Sequence, residues 1–184
     1  MGLKELAASV NRRPELYRHP SSEFFHTKFP IIKERVSLDD EQLIFIIRGS
    51  GDTQRHQTNV KANMTDWFMQ KQHKEFQEVG DKAIEIAKKN SPFDIEMKLF
   101  DCWGAIYHKG DWTKTHDHWP HVWSFVYYTK CVHGDAPLRF PDAELSVYPN
   151  SGEMILFPGW IRHNVPEQTN DSERIIVAGN LTQV

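Results

Sequence analysis

The densest chemistry in the sequence is the run Thr115-His116-Asp117-His118. In a β-strand, residues i and i+2 share a face, so His116 and His118 point the same way and Asp117 points the other. Two imidazoles on one face begin a site for a divalent metal ion, and a third ligand must come from elsewhere in the chain. His163 is the candidate. It lies in Trp160-Ile161-Arg162-His163-Asn164-Val165, just beyond an apolar strand, Glu153 to Phe157, and a Pro158-Gly159 turn. The alternative third ligand is Asp117, which could turn inward at a strand end or bulge. Period-2 geometry favours His118. Arg174 follows His163 by eleven residues and opens the last apolar segment, Arg174 to Leu181.

The elements that must position these residues divide the chain in two. Ser37-Leu38-Asp39-Asp40 reads as a capping box opening a helix over about 38–48, which Gly49-Ser50-Gly51 ends. Gly49 to Asn63 reads as loop, and Thr65-Asp66 as the cap of a helical turn holding Trp67 and Phe68. Between His73 and Lys89 the apolar residues Phe76, Val79, Ala83, Ile86 and Ala87 form one helical stripe, which Pro92 stops. After residue 94 the pattern becomes that of strands. Ile95, Met97 and Leu99 alternate with polar residues, and short segments follow at 103–107, 114–118, 123–130, 136–140, 144–148, 153–157 and 174–181, separated by Gly/Pro turns. This predicts a mainly β, α+β protein, with N-terminal helices packed on one sheet of a jelly-roll barrel. The expected organisation is a single domain over 1–184, with a helical and loop layer at 1–93 and the barrel at 94–184.

Composition narrows the function classes. The chain has 184 residues, which suits one domain, and 11 Phe, 6 Trp and 5 Tyr supply a core. The longest apolar run, Leu43 to Ile47, is far too short to span a membrane. A net charge of −3 gives no reason to expect nucleic-acid binding. Two cysteines and no evident leader suit a reducing, cytoplasmic setting. Ten histidines are many for this length, and six fall between His108 and His163. His19, His26, His56, His73 and His133 read as surface or hydrogen-bonded residues. His108 and His121 flank the candidate site and could support it. Trp103, Trp119, Trp123 and Trp160 read as packing, with Trp119 placed to roof a pocket.

The order His-x-His, long gap, His, then a basic residue about ten positions on resembles the Fe(II)/2-oxoglutarate-dependent oxygenases, the superfamily that includes the prolyl hydroxylases. Ser124-Phe125-Val126-Tyr127-Tyr128 resembles the family strand with a paired Tyr-Tyr, and Gly152 to Pro158 the strand leading to the distal His. The match is best with a small phage and marine-bacterial group that has a His-x-His start. The resemblance implies a double-stranded β-helix core and Fe(II) held by His116, His118 and His163. It implies 2-oxoglutarate gripped at its far carboxylate by Arg174, whose planar fork suits that task, with help from Tyr128. Asn180 shares a face with Arg174 in a regular strand and is a further candidate for the pocket. The implied activity is that of a dioxygenase, a hydroxylase in type, consuming O2, with ascorbate in support. Its substrate would be a small molecule or a peptide, and peptidyl-proline is the one the prolyl hydroxylases suggest. Two departures stand out. The family places a carboxylate where His118 stands, and many relatives carry Ser or Thr where this chain has Ile176. A three-His dioxygenase that needs no 2-oxoglutarate, and a jelly-roll binding module without activity, are the alternatives.

Overall fold

The computed structural model describes residues 29–53, 59–91 and 94–184. Residues Ile31–Val184 form one compact unit. His19, His26, His56 and Pro92, and the grouping of the first 30 residues with the rest, lie outside the described residues or rest on them.

In chain order the elements are β1 (Ile32–Arg35), α1 (Asp40–Ser50), β2 (Val60–Lys61), β3 (Asn63–Met64), α2 (Lys74–Asn90), β4 (Met97–Tyr107), β5 (Trp112–His116), β6 (Trp123–Lys130), β7 (Leu138–Phe140), β8 (Leu145–Val147), β9 (Glu153–Pro158), β10 (His163–Val165) and β11 (Arg174–Gln183). They build two antiparallel sheets. The larger runs β1-β9-β6-β11-β4-β3 and the smaller β2-β5-β10-β7-β8. This is the mainly β, two-sheet jelly roll that the strand pattern predicts.

The central strands β9, β6 and β11 of the larger sheet are buried on both faces, and period-2 alternation divides their residues and those of the adjoining end of β4. Ile106, Phe125, Tyr127, Leu156, Ile175 and Val177 face the helices and join Leu43, Ile47, Phe76, Val79 and Ile86 in one apolar core. Their neighbours Tyr107, Val126, Phe157, Arg174 and Ile176 turn inward and line a cavity. β11 sits between β6 and β4, with Arg174 opposite Tyr107 and Asn180 opposite both Asp101 and Ser124.

The whole predicted stripe of α2 is buried, and Gly80 joins it. A side chain at Gly80 would meet Leu99 of β4 at 2.3 Å, so glycine there lets helix and sheet approach. α1 begins two residues later than predicted. Its cap is Asp39, whose Oδ1 accepts from the Gln42 N–H at 3.0 Å, rather than Ser37. The acidic residues Asp40 and Glu41 favour the positive end of the helix dipole. Tyr127 donates to Asp40 at 2.7 Å and so ties α1 to β6.

Several local expectations need correction. The Thr65-Asp66 helical turn is absent. Phe68 instead bridges to Cys102, and a 3-10 turn forms later, at Met69–Lys71. Thr65 is buried and accepts from the Gly104 N–H at 2.9 Å, so its hydroxyl serves β4 and not a helix. The predicted loop at 49–63 contains β2 and the start of β3, two-residue strands too short to leave a periodic pattern. The segments around Leu99 and Trp103 are one 11-residue strand, whose first half alternates and whose second half, from Cys102, is buried on both faces and loses its alternation.

Candidate active site

β5 and β10 lie side by side, with His163 directly opposite His116. β5 ends at His116, and the chain continues without strand structure through Asp117 and His118. His118 therefore does not share a strand face with His116 in the way the sequence suggests. It is held instead by its backbone N–H, which donates to Gly159 O at 2.7 Å beside the β9–β10 turn. The three rings still converge. Their centroids are 4.9 Å (116–118), 4.4 Å (116–163) and 5.0 Å (118–163) apart. One nitrogen from each lies within 4.8 Å of the others. Asp117 turns elsewhere and accepts from the Trp119 N–H at 3.2 Å.

Two rings are prepared for metal binding. His116 Nδ1 lies 2.7 Å from Lys114 O, and His163 Nδ1 lies 3.2 Å from Ile161 O. A carbonyl only accepts, so Nδ1 carries the proton in each ring and the Nε2 lone pair is left for a metal. Burial, with repulsion from His116 second, pushes His163 down to about 3, and burial also lowers His116. Both are neutral imidazoles at physiological pH, the form a metal requires. The donor set of three imidazoles suits a divalent first-row metal such as Fe(II).

Arg174 lines the same cavity, which has a volume of about 50 Å³. Its side chain is only 1% exposed, yet among the described residues it has no carboxylate partner. Tyr128 Oη accepts from Nη2 at 3.3 Å, and the guanidinium carbon lies 4.9 Å and 5.1 Å from the Tyr107 and Tyr128 ring centres. Nε and Nη1 are buried without a hydrogen-bond partner among the described residues. A buried guanidinium with two unpartnered nitrogens is costly, and an anion entering the cavity would satisfy it. Burial pushes the Tyr128 hydroxyl up to about 12, so it keeps its proton for donation.

Sequence reasoning missed Tyr107 and Thr113. Their hydroxyls lie 2.7 Å apart on the cavity wall. They supply polar atoms where Ile176, also on the wall, supplies none. The available signal was the pairing of β4 with β11, which sets the end of one strand against the start of the other. Trp103, read as packing, also lines the cavity, with its ring 6.2 Å from that of His118. Trp119 is not among the lining residues. His121 flanks the site, its N–H donating to His118 O at 2.9 Å, whereas His108 is exposed in the β4–β5 turn.

Asn180 is not brought to Arg174. Six residues of strand separate them, about 20 Å at ~3.3 Å per residue. Its Oδ1 accepts from Ser124 Oγ at 2.7 Å and its Nδ2 donates to Asp101 Oδ1 at 2.8 Å. Burial, the largest influence, pushes the Asp101 carboxyl up to about 6, against the hydrogen bonds it accepts from Asn180. Ionising a group whose folded pKa is raised costs stability. The cost is absent below the unfolded value near 4 and grows until pH passes the folded value near 6. Asp101→Asn is therefore expected to stabilise the protein by about 1–3 kcal/mol at pH 8 and by nothing at pH 3.5. Urea melts at the two pH values check this, and an equal effect at both would refute it.

A larger cavity, about 660 Å³, lies at another place, lined by the 132–137 and 148–150 loops and by Arg139, Pro166, Glu167 and Thr169. It contains none of the residues above.

No protein-family model matches the chain, and no curated protein is similar to it in sequence. Solved structures, however, share its fold, and they are 2-oxoglutarate and Fe(II) oxygenases. The viral collagen prolyl hydroxylase vCPH of Paramecium Bursaria Chlorella virus-1, in complex with 2-oxoglutarate, superposes with a TM-score of 0.67 at 18% identity, over 82% of this chain and 94% of that one. A Pseudomonas putida prolyl-4-hydroxylase gives 0.65 at 15% identity, over 97% and 99%. HygX of Streptomyces hygroscopicus, with nickel, 2-oxoglutarate and hygromycin B bound, gives 0.65 at 9% identity, over 84% and 83%. At these identities the likeness is one of fold.

Proposed function

We propose that the protein is a non-haem Fe(II), 2-oxoglutarate-dependent dioxygenase, a hydroxylase in reaction type. The observation that carries this reading is Arg174, a buried cation with two unpartnered nitrogens in the cavity that three convergent histidines also line. A metal site alone would not need it. His116, His118 and His163 would hold Fe(II), and Arg174 with Tyr128 would hold the far carboxylate of 2-oxoglutarate. Together the metal and 2-oxoglutarate supply O2 activation, coupling decarboxylation to succinate with oxidation of a substrate C–H bond.

The chain's own contributions follow from its geometry. Lys114 O and Ile161 O fix two rings with Nε2 toward the metal. Arg174 offers a planar, permanently charged fork, and the Tyr128 hydroxyl, which stays protonated, offers one more donor. Val126, Leu138, Phe157 and Ile176 form apolar walls that keep water from the centre. Oxidation of a C–H bond in a small molecule or a peptide suits this site. The prolyl hydroxylases of like fold keep peptidyl-proline among the substrates, and HygX keeps small molecules.

The test is succinate formation. Protein reconstituted with Fe(II) and ascorbate is expected to convert 2-oxoglutarate to succinate under air, and metal-free protein is not. Absence of both turnover and 2-oxoglutarate binding would leave a three-His dioxygenase without 2-oxoglutarate, or a binding module.

A further inference from the structure

The inner face of the larger sheet carries a second buried polar feature, at the end away from Arg174. Asp101 of β4, Asn180 of β11 and Ser124 of β6 lie side by side across three strands. They form a hydrogen-bonded chain from Ser124 through Asn180 to Asp101. The chain ends on a carboxylate that has no ion-pair partner among the described residues. Ser124 and Asn180 are 1% and 2% exposed, so the network is not surface decoration.

This network adjoins the candidate metal centre. Ser124 lines the same cavity as the three histidines. Its cross-strand neighbour Phe157 has its ring 4.5 Å from that of His163. Trp103, two residues along β4 on the face of Asp101, approaches His118, and Trp67 packs edge-on against it at 4.7 Å. Among the described residues the larger sheet thus presents a buried cation without an anion on the cavity wall and, beyond Ser124 and outside the lining residues, a half-buried carboxylate without a cation.

We propose that Asp101, set by Asn180 and Ser124 and flanked by the Trp103 ring, is the substrate-recognition element and takes a protonated amine. This rests on the oxygenase reading of the same site and narrows its substrate class. A half-buried carboxylate is destabilising until a cation joins it, and an ammonium group also gains from an aromatic face nearby. Asn180 Nδ2 holds one oxygen of Asp101, which orients the carboxylate for an incoming donor. A neutral substrate would leave that charge unmatched. The amine belongs either to a free polyamine-like molecule or to a lysine side chain in a peptide, and the two sources are separable by experiment.

The experiment uses the full chain loaded with Mn(II) and 2-oxoglutarate, and reads paramagnetic broadening of probe proton signals in NMR titrations. The probes are cadaverine and Nα-acetyl-lysine methylamide, their uncharged counterparts 1-pentanol and Nα-acetyl-norleucine methylamide, and a neutral prolyl peptide. At least one cation is expected to broaden saturably, with at least tenfold tighter binding than its uncharged counterpart. Which cation does so identifies the source. Asp101→Asn, which keeps the shape and the acceptor for Asn180, is expected to abolish that preference. Asp101→Glu is expected to retain it in part, with 2-oxoglutarate affinity unchanged in both variants. No saturable cation binding, equal binding of cation and counterpart, a preference that survives in Asp101→Asn, or tighter binding of the prolyl peptide would each overturn the proposal. Failure of 2-oxoglutarate itself to bind would overturn the oxygenase reading instead, and the same titrations with Mn(II) alone would still report on the amine.

Discussion

Replacing Arg174 with alanine is expected to weaken 2-oxoglutarate binding to the Mn(II)-loaded protein by about 10²- to 10⁴-fold. Among the described residues the guanidinium is the one buried cation on the cavity wall, and its Nε and Nη1 await partners. A carboxylate placed there would gain two charge-assisted hydrogen bonds, each worth about 1.5–3 kcal/mol. Arg174→Lys keeps the charge and loses the fork, so a loss of about 10- to 100-fold is expected. Tyr128→Phe removes one donor and should cost about tenfold. Metal affinity should change little in all three, because the histidines sit on the smaller sheet and on the segment that follows β5. Calorimetric titration of 2-oxoglutarate into each variant provides the measurement. Equal affinity in wild type and Arg174→Ala would remove 2-oxoglutarate from the function.

Phe76→Ala is expected to destabilise the protein by about 3–5 kcal/mol, a large part of the total stability of an ordinary domain. Phe76 is fully buried in the core shared by the helices and the larger sheet. Removing its ring leaves a cavity that the surrounding side chains cannot close, since α2 is already drawn onto β4 at Gly80 and Leu99. The same reasoning applies to the whole layer. A chain of residues 94–184 alone would expose Phe125, Tyr127, Leu156, Ile175 and Val177 to water. It is expected to be insoluble or to unfold without a cooperative transition. Urea denaturation of Phe76→Ala and of the fragment checks both. A soluble, cooperatively folding fragment would show the sheets to be self-sufficient and would refute a single domain spanning both layers.

The histidines and the arginine were legible because their spacing depends on strand lengths and turns that the sequence marks with Gly and Pro. The stripe of α2 was legible because a helix buried on one side must repeat its apolar residues. His118 is instructive in another way. Period-2 logic selected it, yet β5 stops at His116, and the bond from His118 N–H to Gly159 O brings the ring inward. That bond joins residues far apart in sequence, and no local pattern records it. Tyr107 and Thr113 were missed although only six residues separate them, since their meeting depends on how β4 and β5 turn back on each other. Asn180 shares the inner face with Arg174 as the period-2 reading expects, yet six residues of strand keep the two apart, because sharing a face says nothing about distance along it.

β11 alternates between two tasks. Ile175, Val177 and Leu181 pack on the helices, whereas Arg174, Ile176 and Ala178 line the cavity and Asn180 faces the same way. Side chains of opposite orientation share only the backbone, so substitutions on one face can accumulate without disturbing the other. In evolutionary terms the strand is a partition between selection for folding and selection for ligand choice. New specificities could be explored at every second position of a scaffold that does not register the change.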